Sequence, residues 1–140
     1  MVFKKFLDAQ FIPHRLIDMW SFSDKDPGRD ISRPEHFYTL IYLAQELLQQ
    51  NMQQQMLLKV VACNMHSLHE QGTVDPFNSL LTGACKVIGQ EFPNISCQTI
   101  DLELPSGKFT RNQVVQNILQ EVTLNTGDEL VVYRDDKRWV

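Results

Sequence analysis

The sequence predicts an α/β fold, an open and mostly parallel sheet of about four strands plus a C-terminal hairpin, with helices on both faces. Three observations carry that prediction. Helix-period and strand-type segments alternate four times along the chain, the pattern of crossover-connected parallel strands. Met56 to Cys63 is apolar apart from Lys59, as expected of a strand covered on both sides. Leu80 to Glu103 reads as one helix-turn-strand unit. In it Leu80, Leu81, Ala84, Val87 and Ile88 recur at helical spacing, Pro93 and Asn94 stop the helix, and Ile95 to Leu102 returns as a strand.

Taken in order, Phe3, Phe6 and Leu7 suggest the last turns of a first helix, which Pro13 ends before the short apolar strand Leu16 to Trp20. Ser23 to Asp30 holds Pro, Gly and Asp, the chemistry of a surface turn. Ser32 can cap the longest helix, with Pro34 in its first turn and Glu35 three residues beyond the cap. Phe37, Leu40, Ile41, Ala44, Leu47 and Leu48 give this helix its apolar face, and Gln45, Gln49, Gln50, Gln53 and Gln54 mark its wet side. The third unit follows the strand Met56–Cys63 through Gly72 to Pro76, and its helix is expected to pack Gly83 and Ala84 closely on the sheet. Thr110 can cap a last helix carrying Val114, Val115, Ile118, Leu119 and Val122, with Gly127 as its stop. Glu129 to Arg134 is then a strand, and Asp135-Asp136 turns it into Lys137 to Val140. Right-handed crossovers are expected throughout.

Composition narrows the function. At 140 residues and 43% hydrophobic content, residues 1–140 form a single domain with enough chain for a real core. A net charge of -4 with scattered signs leaves no basic stripe for nucleic acid. No run approaches the ~18 apolar residues of a membrane span. Met1 to Phe6 is followed by Asp8 and Gln10 in place of an apolar leader, so a cytoplasmic location is expected. Cys63, Cys85 and Cys97 are odd in number and sit in apolar runs, which suits reduced thiols of the core better than a disulfide framework or a zinc site.

Catalytic, cofactor-binding and metal-binding residues are all expected to be absent. The six glycines, Gly28, Gly72, Gly83, Gly89, Gly107 and Gly127, form no phosphate-cradling cluster after any strand, so the sheet reads as a truncated Rossmann-like fold without its dinucleotide half. Tyr133 and Lys137 have the Tyr-x-x-x-Lys spacing of a dehydrogenase. That chemistry needs both on one helix face, whereas Val131-Val132 and Asp135-Asp136 place them across a strand and a turn. His66, His69 and Glu70 share one loop without a distant fourth ligand, which is weak for zinc. Asn64 to His66 does follow a parallel strand, where α/β sheets bind ligands, but no nucleophile motif accompanies it. Trp20 and Trp139 have apolar neighbours that suit a core or interface better than a stacking platform.

Several ordered motifs carry a family resemblance. They are Arg15 to Ser21 (RLIDMWS), Phe37-Tyr38-x-Leu40 with Leu43-Ala44-Gln45-x-Leu47, Leu80-Leu81-x-Gly83 with Lys86, Gln90 to Pro93 and Ile100-Asp101-Leu102, and Glu129 to Arg134 with Arg138-Trp139-Val140. From about Phe3 to Val140 the chain resembles the N-terminal, non-catalytic structural subdomain of ketoreductases in bacterial modular type I polyketide synthases, which are short-chain dehydrogenase/reductase-like. Asp18 stands where the family often has His, and Gly89 where Pro is common. The resemblance implies a scaffold that supports the NADPH-dependent catalytic subdomain of the same polypeptide, with NADPH and phosphopantetheine bound elsewhere in the synthase. It implies that the first two strand-helix units of a full subdomain are missing upstream of Phe3. The candidate subdomain interface is Leu130, Val132, Tyr133 and Trp139, and the edge strand Leu16 to Trp20 is expected to self-associate or be covered. A stand-alone interaction or dimerisation module and a small nucleotide-dependent reductase are the alternatives; the second would need a phosphate-binding turn and a helical Tyr-Lys pair.

Overall fold

Strands and helices alternate in the computed structural model, which describes residues 13–22, 34–49, 54–68, 74–103, 110–124, 126–135 and 137–140. The elements are β1 (Arg15–Asp18), α1 (Glu35–Gln49), β2 (Met56–Cys63), α2 (Pro76–Glu91), β3 (Ile95–Leu102), α3 (Arg111–Thr123), β4 (Leu130–Arg134) and β5 (Lys137–Trp139). The expected first helix at Phe3 to Leu7, the Ser23 to Asp30 turn and the Ser32 cap lie outside the described residues.

Strand order follows chain order, β1-β2-β3-β4-β5. The first four strands are parallel. β2 and β3 pair along their whole length, from Met56 with Ile95 to Cys63 with Leu102, while β4 meets β3 only from Thr99 to Asp101. β5 returns antiparallel, Val132 opposite Trp139. Asp135 makes this turn possible by adopting a left-handed φ of 50°, which Asp tolerates better than most residues.

The pleat sorts side chains to two faces. Met56, Leu58, Val60 and Ala62 of β2 meet Leu40, Ala44 and Leu47 of α1 and Leu81, Ala84, Cys85 and Ile88 of α2. On the opposite face Val61, Ile100, Leu102, Val131 and Tyr133 pack with Val114 and Ile118 of α3. Full burial of one such Leu or Ile side chain contributes roughly 1.5–3 kcal/mol.

Helices therefore cover both faces, but uniformly right-handed crossovers do not achieve it. When parallel strands step sideways in one direction, crossovers of one hand put every helix on the same side. α1 and α2 share a side and α3 takes the other, so the α3 crossover has the opposite hand to the two before it. A polar contact holds α3 there. Lys59, on the α3 side of β2 and 1% exposed, donates through Nζ to the carbonyls of Glu121 and Leu124, the latter at 2.8 Å. It thus caps the carbonyl end of α3, the end at which a cation is favoured.

Three apolar stripes are corrected. Leu48, Leu80 and Val87 are exposed, and the stripe of α2 runs instead through Leu81, Ala84, Cys85 and Ile88. Gly83 is exposed as well, with nothing near the position of an added Cβ. In α3, Val115 and Leu119 are exposed while Val114, Asn117 and Glu121 turn inward. Helical spacing alone offers two overlapping stripes; on α3 the polar groups of the sheet select the one that carries a carboxylate.

Both remaining helix starts follow their sequence signals. Asp75 caps α2, its Oδ1 accepting from the amides of Phe77 (2.9 Å) and Asn78 (3.2 Å), with Pro76 in the first turn. Thr110 and Gln113 form a reciprocal capping box on α3.

Candidate functional site

The carboxyl ends of parallel strands are where an α/β sheet ordinarily receives a ligand. Here a hydrogen-bonded lock occupies that end. Asp101 of β3 is 0% exposed, and its Oδ2 accepts from the His66 backbone amide (2.7 Å) and from Arg134 (2.8 Å). His66 Nδ1 is 3.3 Å from the same oxygen, and its Nε2 is 3.4 Å from Thr82 Oγ1. Arg134, at the end of β4, also donates to the carbonyls of His66 (2.9 Å), Asp101 (3.3 Å) and Tyr133 (2.7 Å). One guanidinium therefore joins the ends of β3 and β4 to the loop after β2.

That loop is also fastened to α2. Asn78 Nδ2 donates to the Cys63 carbonyl at 2.8 Å, and Ser79 Oγ donates to the Met65 carbonyl at 2.7 Å. Asn64 takes a left-handed φ of 56°, and Met65 is buried in the core.

A pyrophosphate would use the free amides at the start of the helix after a strand. The first amides of α2 are already taken by the Asp75 carboxylate, whose charge repels phosphate. Thr82, His66 and Asp101 line up as hydroxyl, imidazole and carboxylate, and the carboxylate oxygen nearest the imidazole also accepts from an amide and a guanidinium.

A second cluster lies under α3. Glu121, 0% exposed, accepts from Tyr133 Oη at 2.7 Å and from Arg138 Nε at 2.6 Å. Arg138 reaches on to Asp128 (2.8 Å) and Thr126 (3.2 Å). Burial and the bond to Glu121 push the Tyr133 phenol well above its ordinary range. Burial pulls Lys59 below its usual value. Proton transfer from Tyr133 would need the opposite shift, and Lys137 lies on β5 across a turn, paired with Arg134.

The predicted interface residues divide. Val132 and Tyr133 are each 3% exposed and are committed to this chain's own interior. Leu130 is half-buried, and Trp139 is 48% exposed on the outermost strand. Contact with another body through this hairpin therefore falls to Trp139 and Leu130. Trp20 is exposed too. His69 and Glu70 lie outside the described residues; among those described, no group of three or more His, Cys, Asp or Glu could hold a metal, and no helix is long and apolar enough to cross a membrane.

The pairings of Asp101 with Arg134 and of Glu121 with Arg138 follow from no spacing in the sequence. One signal was available: a lone Lys59 inside an apolar strand requires buried acceptors, and the next helix is the nearest source.

Residues 1–121 match the family described as β-ketoacyl synthase-like, N-terminal. The chain belongs to this family. No curated protein matches it. A solved structure described as the adenylation, ketoreductase and pseudo-Asub multidomain structure of a keto acid-selecting NRPS module is similar over 99% of this chain, with a TM-score of 0.81 and 14% identity. The aligned region is 12% of that much longer chain. At this identity the likeness shows that the two share a fold, the mostly parallel open sheet with helices on both faces that is characteristic of a truncated Rossmann-like domain.

Proposed function

We propose that this β-ketoacyl synthase-like family member is a non-catalytic structural subdomain of a multidomain synthase, bracing an NADPH-dependent ketoreductase catalytic subdomain of the same polypeptide. The observation that carries this proposal is the lock at the carboxyl ends of the strands. Asp101 Oδ2, His66 and Arg134 bond to one another at the end of the sheet where a ligand ordinarily enters, and Asp75 occupies the first amides of α2. The presence of a ketoreductase in the structurally similar module supports the same reading.

The contribution is mechanical. Side chains that hold a reacting site in register must themselves be fixed, and a sheet with both faces covered is a rigid support. Trp139 on β5 offers a large exposed ring next to the chain's last residue, suited to anchor a neighbouring subdomain. NADPH and phosphopantetheine belong elsewhere in such a synthase.

Calorimetric titration of the isolated chain with NADPH tests the non-catalytic part. No heat of binding up to millimolar cofactor is expected. Micromolar binding that is lost on Arg134→Ala would overturn the proposal and favour a small nucleotide-dependent reductase.

A further inference from the structure

A continuous groove crosses the amino ends of the strands. Arg15 of β1, Leu57 of β2 and Ser96 of β3 are registered neighbours in one row. A cavity of about 320 Å³ lies along that row, lined by His14, Arg15, Gln55, Leu57 and Ser96 among others. Leu57 and Ser96 also line a second cavity of about 510 Å³, whose further walls include Lys86 of α2, Cys97 of β3, and Asp128 and Glu129 at the approach to β4. The two cavities therefore adjoin, and together they reach from the start of β1 to the start of β4.

Two features of the second cavity ask for hydrogen-bonding partners. β4 meets β3 only from Thr99 to Asp101. The Thr99 amide donates to the Glu129 carbonyl at 2.9 Å, so the Thr99 backbone faces β4. Backbone direction alternates along a strand, and Cys97, two residues earlier, faces the same side, where no strand pairs with it among the described residues. The other feature is Gln98, 4% exposed, whose Nε2 donates to the Asp128 carbonyl at 2.9 Å and so fixes the orientation of its amide. Its Oε1 is buried and has no hydrogen-bond partner among the described residues. An unpaired strand edge attracts a strand, and a buried acceptor without a donor carries a desolvation cost.

The groove begins at His14, and the residues before Pro13 have the chemistry to fill it. Val2, Phe3, Phe6, Leu7, Phe11 and Ile12 are apolar, and Lys4 and Lys5 are cationic. Crossing two strand spacings takes about 10 Å, or about three extended residues. Phe3 to Leu7 can then reach the second cavity, where Leu57, Ile95 and Leu130 give apolar wall and Asp128 and Glu129 carry charge opposite to that of Lys4 and Lys5. Asp128 is already held by Arg138 at 2.8 Å, which leaves Glu129 for the lysines.

We propose that residues 1–12 return across the amino ends of β1, β2 and β3 and dock in this cleft, where their backbone pairs with Cys97 and their lysines meet Glu129. The segment closes the first half of the β3 edge as a strand does, and its amide or ammonium donors satisfy Gln98 Oε1. The sheet is thus protected at this edge by its own chain.

Zero-length carbodiimide coupling of the full chain, read by peptide mapping, tests the contact. The expected product is an amide between Lys4 or Lys5 and Glu129 within one chain, lost in Glu129→Gln. Amide hydrogen exchange gives the second measurement. The Cys97 amide should be protected, and Phe6→Asp should speed its exchange about tenfold or more while the Ile100 amide at the sheet centre is unchanged. The double variant Lys4→Glu with Lys5→Glu, which removes no aromatic ring, should act on Cys97 in the same direction. Mixing isotopically light and heavy chains identifies the occupant: light–heavy coupled peptides would put a second copy in the cleft and overturn the proposal. A Cys97 amide that exchanges as an open edge does, or protection that both variants leave in place, would overturn it equally.

Discussion

Glu121 shows how one buried carboxylate organises its surroundings. It accepts from Tyr133 and Arg138, and its backbone carbonyl accepts from Lys59. Replacing it with Ala leaves a buried hydroxyl without its acceptor and removes one of the two carboxylates that hold the Arg138 guanidinium, which keeps Asp128. Glu121→Ala should therefore cost about 3–5 kcal/mol, by analogy with broken buried pairs. Tyr133→Phe leaves the Arg138 pair intact and should cost only about 1–2 kcal/mol. Urea denaturation checks the order; equal, small losses would show that α3 is held by apolar contacts alone.

Asp18 gives a pH test. Burial raises its carboxyl above the ordinary 3.8 of an Asp side chain, against the lowering effects of the Trp20 amide and His36. The folded state then holds the proton more tightly than the unfolded state, so stability falls as pH rises through the window above 3.8. Asp18→Asn keeps an acceptor for the Trp20 amide, 3.0 Å away, and removes the charge. Tm should rise at neutral pH and the gain should vanish in acid below that window. A gain independent of pH would show that burial of charge is not the cause.

At the level of elements, α2 carries opposite expectations on its two sides. Ala84 is buried against the sheet, so Ala84→Leu should overpack the contact and cost about 1–3 kcal/mol. Gly83 and Gly89 have open space where a Cβ would stand, so Gly83→Ala or Gly89→Ala should add about 0.5–1 kcal/mol of helix stability. Thermal melts of the three variants decide; a stabilising Ala84→Leu would place that face in solvent. The strands β2 and β3 were legible to the residue because an apolar run bounded by Asn, Pro or Gly has few alternatives. The faces of α2 and α3 were less legible. Leu80 and Val87 lie on a stripe as regular as the buried one, and only contact with the sheet selects between them. The burial of Glu121 has no local signal because its partners Tyr133 and Arg138 are distant in sequence.

At the scale of the whole molecule, both outer strands are short. β1 pairs with β2 on one side and with no other strand among the described residues, and Ile17 and Met19 are exposed. Unpaired strand edges attract partners, so light scattering should detect concentration-dependent association of the isolated chain that a Met19→Lys charge weakens; association unchanged by that charge would place the contact elsewhere. The hand of the α3 crossover was not legible at all, since a strand-helix-strand pattern is the same for either hand. The carboxyl-end lock was equally hidden: Asp101 and Arg134 are joined only by the parallel register of β3 and β4.

The proposed role is to brace a catalytic neighbour without catalysing. The most direct measurement is ketoreductase activity of the catalytic subdomain that the proposal places in the same polypeptide, expressed with and without residues 1–140 and followed by NADPH oxidation. The account predicts a 1:1 complex with activity and thermal stability that the catalytic subdomain lacks alone, both weakened by Trp139→Ala. A catalytic subdomain that is fully active and stable by itself, and that does not co-elute with this chain, would contradict it.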